Sequence, residues 1–418
     1  MTRALGAAAL DAGGRWVELS MGLSAYAVVW HAYAQALPVL APDGAAAGGW
    51  LIAGATAVSY SGLALLLLLP PLGVARAIAR ALRPRSDPPA EPPQQETGPM
   101  PESMCLFSLL VVAALTAVAD FAAVVDITQA PLVADTMMGL WRSCAAAALL
   151  LTVAALPIYL TAPTPAPADA PRWHLLVLPA VAASAAAGEL AQAVAPHNAA
   201  GLLGHAYVLW GASVVPALCF AVVQARSACA IAPSIPAGRL APVLAAPLTT
   251  VALLAAAIMA LGIHGRRVWN DPATPASTPL LLGELAMAGG AILGLLLWAA
   301  AAAWFATAHV LAIMAPRPPG ARMAGRQLCA AAWSTAAQLA YPLAAFALAT
   351  IYLARIWSSV SALLCARVLL AYLTLLLLVV PAAGTALAAA CAVYKLLAPT
   401  PKPLLSHQDH PPASYGSI

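Results

Sequence analysis

Charged residues are scarce in this chain of 418 residues, of which only 8% are Asp, Glu, Lys or Arg. An ordinary soluble domain has about 25%, and a soluble protein of this size could not cover its surface with so few. The composition also excludes a secreted disulfide scaffold, a disordered chain and a nucleic-acid-binding domain. Because 63% of the residues are hydrophobic, we predict an integral membrane protein that crosses the bilayer many times.

Lys and Asn, whose codons are AT-rich, are almost absent as well. Lys occurs only at Lys395 and Lys402, and Asn only at Asn198 and Asn270, whereas Ala is abundant. This bias indicates a GC-rich genome. The many Ala residues are therefore only partly a means of close helix packing.

The chain also lacks the short motifs on which many enzymes and metal sites depend. It has no GxSxG, Walker, GxGxxG or HExxH pattern, and its 7 Cys residues form no CxxC. None of these Cys residues falls in a predicted outside loop, which argues against structural disulfides. We expect a protein that is not an enzyme and that holds no cofactor and no metal ion.

Long apolar runs are frequent, and ten of them reach about the 20 residues that a helix needs to cross the hydrocarbon core. Backbone polar groups exposed to lipid cannot be satisfied, so continuous apolar runs predict helices. The predicted fold is an all-α, polytopic integral membrane helix bundle of about ten transmembrane helices, with an eleventh crossing left open. The spans are 16–37, 48–70, 104–128, 133–161, 173–196, 199–224, 241–264, 280–313, 326–352 and 362–396.

The basic residues predict the orientation of this bundle, because Lys and Arg concentrate in cytoplasmic loops. If the N-terminus is inside, most of the 19 basic residues are cytoplasmic, and only Arg266, Arg267 and Arg355 lie outside. Both termini are therefore predicted to be cytoplasmic.

The predicted domain organisation follows from the spans. Residues 1–15 form a cytoplasmic N-terminus, residues 16–396 a single transmembrane domain, and residues 397–418 a cytoplasmic tail. Residues 84–103 read PRSDPPAEPPQQETGPMPES. A run so rich in Pro and Glu cannot bury a core, so we expect a flexible cytoplasmic loop there.

A few polar side chains lie inside or beside the predicted spans, where an unpaired carboxylate is costly. Such residues either lock helices together or line a path for a solute, and the sequence leaves both interpretations open. Glu189 is the leading candidate for a solute path, because Ser184 and Gln192 share roughly its side of the predicted helix. The candidates are Glu18, Asp120, Ser184, Glu189 and Gln192.

The C-terminal tail carries a candidate sorting signal. Tyr415 and Ile418 fit the pattern Tyr-x-x-bulky apolar, and Leu404 with Leu405 could form a second, weaker signal. Such peptides bind in an extended form, with the two side chains in separate pockets of an adaptor. A chance match is the alternative. The expected partners are the lipid bilayer and a host sorting adaptor, and no nucleic acid.

One segment suggests a viral family. Residues 104–133, MCLFSLLVVAALTAVADFAAVVDITQAPLV, resemble the multi-spanning envelope proteins that alphaherpesviruses encode in unique-long reading frame forty-three. WFATAHVL followed by PPGARMA, within 304–324, is a second similarity. The resemblance implies a non-enzymatic protein of the virion envelope and host-cell membranes. It would modulate glycoprotein-driven membrane fusion or membrane trafficking, with viral envelope glycoproteins as partners. This is the leading hypothesis.

Three other segments resemble the tellurite-resistance and dicarboxylate transporter family, which includes sulfite exporters and plant anion channels. RWVELSMG (15–22), HAYVLWGASVVPAL (205–218) and YPLAAFALATIYL (341–353) are similar to its first, sixth and ninth helices. The resemblance implies a ten-helix transporter or anion channel, in which Tyr341 stands where the family places a pore-gating Phe. The chain departs from that family in having Ala336 and its neighbour where the family has paired Trp residues. This is the alternative hypothesis.

Overall fold

The chain is helical throughout the part that the structure, a computed structural model, describes. That part comprises residues 2–40, 48–64, 67, 102–124, 131–161, 170–232, 237–271, 280–314 and 325–379. In these ranges the helices are α1 (Thr2–Leu40), α2 (48–64), α3 (Glu102–Val124), α4 (Pro131–Thr161), α5 (Leu178–Leu190), α6 (Pro196–Ile231), α7 (Ala237–Trp269), α8 (Leu280–Met314), α9 (Gly325–Trp357) and α10 (Val360–Thr374).

The predicted all-α, polytopic membrane fold is confirmed. Seven of the described helices are long and apolar enough to cross a membrane, and the described ranges contain no strand. The number of ten crossings and the cytoplasmic position of both termini stay predictions.

The fifth predicted span differs from the structure in its extent. Instead of one helix over 173–196, a 3₁₀ helix over Ala170–Leu176 leads into α5, which has only 13 residues. Proline favours these boundaries, because its fixed φ suits the first turn of a helix, where its missing backbone N–H costs no hydrogen bond. Pro179 lies in the first turn of α5, and Pro196 begins α6.

Two other predicted segments lie largely outside the described residues. Of the Pro-rich loop 84–103, only Glu102 and Ser103 are described, and they begin α3. Of the last predicted span, 362–396, the structure describes the part in α10 and a π-helical turn over Leu375–Val379.

Five helices, α1, α3, α5, α7 and α9, form a closed ring. Each packs against two others, in the order α1, α3, α5, α7, α9 and back to α1. The helices α4, α6, α8 and α10 pack around this ring. The most apolar stretch of α7 is 94% buried, whereas that of α8 is only 22% buried. Because its exposed side chains include Leu285, Ile292 and Leu296, α8 presents its outer face to lipid.

Tryptophan N–H groups attach three outer helices to the ring. A buried indole N–H needs an acceptor, above all in a bilayer without water, and each of these indoles finds one on a ring helix. The pairs are Trp141 with Ala183 O (2.9 Å), Trp210 with Leu254 O (3.2 Å), Trp298 with Thr350 Oγ1 (2.9 Å) and Trp304 with Leu244 O (2.9 Å). These bonds fix the positions of α4, α6 and α8 along the axis of the ring.

Helices α7 and α8 approach each other closely, and this contact depends on glycine. A Cβ atom built at Gly290 would lie 2.8 Å from the carbonyl oxygen of Ile258 and 3.1 Å from the Cα atom of Gly262. Both neighbours are backbone atoms, which cannot rotate away. Small residues at such positions let two membrane helices approach closely and gain dispersion energy.

Gly290→Ala should therefore destabilise the protein, by about 1–3 kcal/mol for an overpacked contact. Gly289→Ala is the matched control, because a Cβ atom there meets nothing within 4 Å and Ala is about 1 kcal/mol better than Gly in a helix. Thermal unfolding of the purified variants in detergent measures both. Equal transition temperatures for the two variants would contradict this account of the α7–α8 contact.

Candidate functional site

A cavity lies on the axis of the five-helix ring, and all five ring helices line it. The cavity is narrow, with a volume of about 40 Å³, which leaves room for only a few water molecules. Its wall is mostly methyl groups, with one alanine on each ring helix among the lining residues: Ala25, Ala119, Ala182, Ala260 and Ala345. We call this cavity the lumen.

Two tyrosines of α9 lie in the lumen wall, Tyr341 and Tyr352. They are eleven residues apart, which is close to three helical turns, so both side chains leave the same face of α9. At 1.5 Å per residue they lie about 16 Å apart along the helix. Between them the same face presents Ala345 and Leu348.

Tyr352 makes a hydrogen bond across the lumen. Its hydroxyl donates to the Oε1 atom of Glu189 on α5. Helices α5 and α9 are not neighbours in the ring, since each packs against α7 on one side and against a different helix on the other. The bond therefore joins two walls of the lumen and closes it at this end.

The Glu189 carboxylate is buried, with only 7% of the residue exposed, and several polar groups surround it. Gln192 Nε2 donates to its Oε2 atom at 2.9 Å and lies 3.3 Å from His264 Nε2 on α7. Arg355, one turn beyond Tyr352, is close enough to act electrostatically on Glu189 and His264. These contacts compensate a negative charge that would otherwise be costly inside a membrane protein.

A polar pocket lies beyond this contact, towards the C-terminal ends of α5 and α7. Its wall includes Gln192, His264, Arg267 and Asp271. We call it the vestibule. The contact between Glu189 and Tyr352 thus separates an alanine-lined lumen from a polar vestibule.

Tyr341 marks the other end of the lumen and also reaches across it. Its hydroxyl interacts with the side chain of Thr116 on α3, and α3 is not a ring neighbour of α9. Nearby, α1 and α9 approach closely, because a Cβ atom at Gly22 would collide with the side chain of Ala340. An aromatic ring across a narrow passage blocks it.

The structure brings three of the sequence-predicted site residues to the lumen and its vestibule, namely Glu189, Gln192 and Tyr341. Ser184 lies elsewhere, although it precedes Glu189 by only five residues. Its hydroxyl donates to the carbonyl oxygens of Ala180 and, on α6, Ala206. Five residues correspond to about 140° away from the same helix face, which explains the separation.

The two other predicted carboxylates also lie outside the lumen wall. Asp120 is 2% exposed and interacts with the hydroxyls of Ser24 on α1 and Ser59 on α2, so it joins three helices. Glu18 is half-buried on α1, before the residues of that helix that line the lumen. The tail residues Tyr415, Ile418, Leu404 and Leu405 lie outside the described residues, and the sorting signal stays a prediction.

Sequence reasoning missed Tyr352, His264, Arg355 and Thr116. A signal existed for Tyr352, because the eleven-residue spacing places it on the face of Tyr341. His264 and Arg355 had no such signal, since only the assembled ring brings α7 and α9 to Glu189. In the part of the chain that the structure describes, no group of three or more His, Cys, Asp or Glu residues could hold a metal ion.

A lumen inside a ring of membrane helices is the architecture of a channel or transporter, and comparison with known families agrees. Residues 14–386 match the family model described as SLAC1, voltage-dependent anion channel. The match covers nearly the whole chain, so the protein belongs to this family of membrane channels and transporters. No curated protein and no solved structure matches the chain.

This finding agrees with the resemblance to anion channels and transporters. The three segments that carry it lie in α1, α6 and α9, the helices to which the resemblance assigned them. A family of channels and transporters is also consistent with a protein that is not an enzyme. An integral, multi-pass position in the lipid bilayer follows from the family and the fold.

The resemblance to herpesvirus envelope proteins is wrong. The family match includes all of 104–133, the segment that carried the resemblance, and the described residues of this segment belong to α3 and the start of α4. Ala- and Leu-rich helices resemble one another across unrelated proteins, because lipid favours the same few apolar residues. The virion location, the fusion-modulating function and the viral glycoprotein partners lose their support with it, and no finding supports a host sorting adaptor.

Tyr352→Phe should lower the stability of the protein by about 1.5–3 kcal/mol, the range for a hydrogen bond to a charged group. Tyr207→Phe is the matched control, because the Tyr207 hydroxyl is buried with no hydrogen-bond partner among the described residues. Removing such a group is neutral or stabilising. Thermal unfolding in detergent separates the two variants, and a Tyr352→Phe protein as stable as the control would contradict the bond.

Proposed function

We propose that this protein lets small anions cross the membrane through the lumen of the five-helix ring. The observation that carries the proposal is a lumen lined by all five ring helices in a chain of the anion channel family. Arg267 in the vestibule and Arg355 beside it favour anions, because basic groups around a low-dielectric opening raise the local anion concentration.

Two contacts across the lumen support a closed state for this conformation. Tyr352 meets Glu189 at the vestibule end, and Tyr341 meets Thr116 at the other. A solute can pass only when both contacts part. Because the resemblance places a pore-gating aromatic residue at the position of Tyr341, we assign the gate at this end to Tyr341.

A carrier is the second candidate, and the same two contacts favour it. A cavity closed at both ends fits a transporter that opens to one side at a time. Flux that saturates with anion concentration and gives no unitary currents would favour a carrier of the dicarboxylate or sulfite exporter type. Unitary currents would favour a channel.

We further propose that the family match, 14–386, belongs to one transmembrane domain over 16–396 with both termini cytoplasmic. In that orientation the vestibule faces outside, because Arg267 and Arg355 are among the few basic residues predicted there. Anions would then reach the Glu189 end from the outside and the Tyr341 end from the cytoplasm.

Tyr341→Ala should raise anion flux by about tenfold, which corresponds to a barrier lower by about 1.4 kcal/mol. The physical reason is the loss of a ring that spans the lumen between α9 and α3. Chloride or nitrate efflux from proteoliposomes, or current across a planar bilayer, measures the change.

Phe346→Ala is the control for that experiment. Phe346 is buried on the same helix, but its ring packs against Trp298 and Phe305 of α8 rather than into the lumen. It should leave the flux unchanged. If correctly folded Tyr341→Ala protein carried no more anion than Phe346→Ala, the assignment of the gate would fail. If no variant carried any anion, the proposed function would fail.

A further inference from the structure

The polar groups around Glu189 are those that a bound anion requires. The Tyr352 hydroxyl and the Gln192 amide both donate to the carboxylate, and Arg355 adds a positive charge nearby. They lie where the lumen meets the vestibule, since Tyr352 lines the first and Gln192 the second. Both side chains that donate a hydrogen bond to the Glu189 carboxylate therefore lie in the wall of the path that a solute would follow.

We propose that Tyr352, Gln192 and Arg355 form an anion-binding site, that the carboxylate of Glu189 occupies it in this structure, and that a passing anion takes the place of that carboxylate. The inference rests on the proposed function and adds the site at which an anion is held. Its ligand is a small anion, either an inorganic one or the carboxylate of a small organic acid, because both need the same donors.

The argument begins with charge. A charged and fixed carboxylate in the path of an anion repels it, so an anion-conducting lumen needs no carboxylate at that point, a protonated one, or one that moves. Glu189 is buried in the lumen wall and holds the contact that closes it. When the carboxylate leaves, the passage opens and the donors of Tyr352 and Gln192 become free for the anion in the same step.

Geometry allows this movement without displacement of a helix. Glu189 is the second-last residue of α5, and the residues directly after Leu190 form turns. Rotation about the side-chain torsions of Glu189, a change between staggered rotamers, can move its carboxylate from the lumen to the vestibule. Arg267 and His264 in the vestibule can then receive it.

The first test is anion flux. Glu189→Gln removes the negative charge with little change of shape, and it should raise chloride efflux from proteoliposomes by about tenfold. Glu284→Gln is the matched control. Glu284 lies on the outer helix α8, is exposed and is paired with Arg266 of α7 at 2.9 Å outside the lumen. Its neutralisation should therefore leave the flux near that of the unchanged protein.

The second test is binding, and it does not depend on transport. Purified Glu189→Ala protein is titrated with chloride or with acetate at constant ionic strength, with a bulky organic sulfonate as the replaced anion, and its thermal unfolding is followed. The unfolding temperature should rise with chloride, acetate or both, because the vacated donors bind the anion. The unchanged protein should show no rise, and Tyr352→Phe in the Glu189→Ala background should abolish most of it.

The outcomes separate this inference from the proposed function. If Tyr341→Ala protein conducts anions while Glu189→Gln lowers the flux or leaves it unchanged, the inference is overturned and the function stands. An unfolding temperature of Glu189→Ala protein that is independent of both anions would also overturn it. Stabilisation by chloride alone assigns the site to inorganic anions, and stabilisation by acetate alone to carboxylates. If Glu189→Ala does not fold, the same titration on Glu189→Ser, whose short side chain also vacates the donors, decides.

Discussion

The arrangement of the lumen depends on the polar contacts that compensate the buried carboxylate of Glu189. Glu189 brings a negative charge into an alanine-lined lumen, where two like charges 4 Å apart repel by about 4 kcal/mol at an effective dielectric constant of about 20. The protein compensates that charge with partners from several elements, Tyr352 and Arg355 on α9 and Gln192 after the end of α5. Because α9 reaches Glu189 only across the lumen, the bond from Tyr352 both compensates the charge and closes the passage.

Small residues make this arrangement possible. The ring helices can surround a narrow lumen because their inner faces carry mainly methyl groups, as at Ala182 and Ala345. The absence of a side chain at Gly290 likewise lets α8 lie directly on the backbone of α7. Tryptophans on the outer helices then supply the directional bonds that alanine cannot, such as that from Trp141 to the carbonyl of Ala183. These large aromatic side chains thus lie on the outer helices, and small side chains make up most of the lumen wall.

The sequence contains most of the fold and part of the site. Long apolar runs predict the helices, because lipid leaves no other choice for the backbone, and Glu189 and Tyr341 stand out as polar groups within such runs. Ser184 is predicted to share the helix face of Glu189, but a spacing of five residues turns it towards α6. His264 and Arg355 could not be found from the chain alone, since their relation to Glu189 exists only once α7 and α9 have packed into the ring.

The methyl-lined stretch between Tyr341 and Tyr352 has a consequence for the solutes that can enter it. An ion there meets Ala345 and Leu348 rather than carbonyl or hydroxyl groups. The wall therefore offers no polar contacts to compensate the hydration that the ion loses. The cost of dehydration then ranks the ions. Large, weakly hydrated anions such as nitrate enter such a stretch more easily than small or doubly charged ones. The passage thus selects among anions by their hydration, without a side chain that binds one of them specifically.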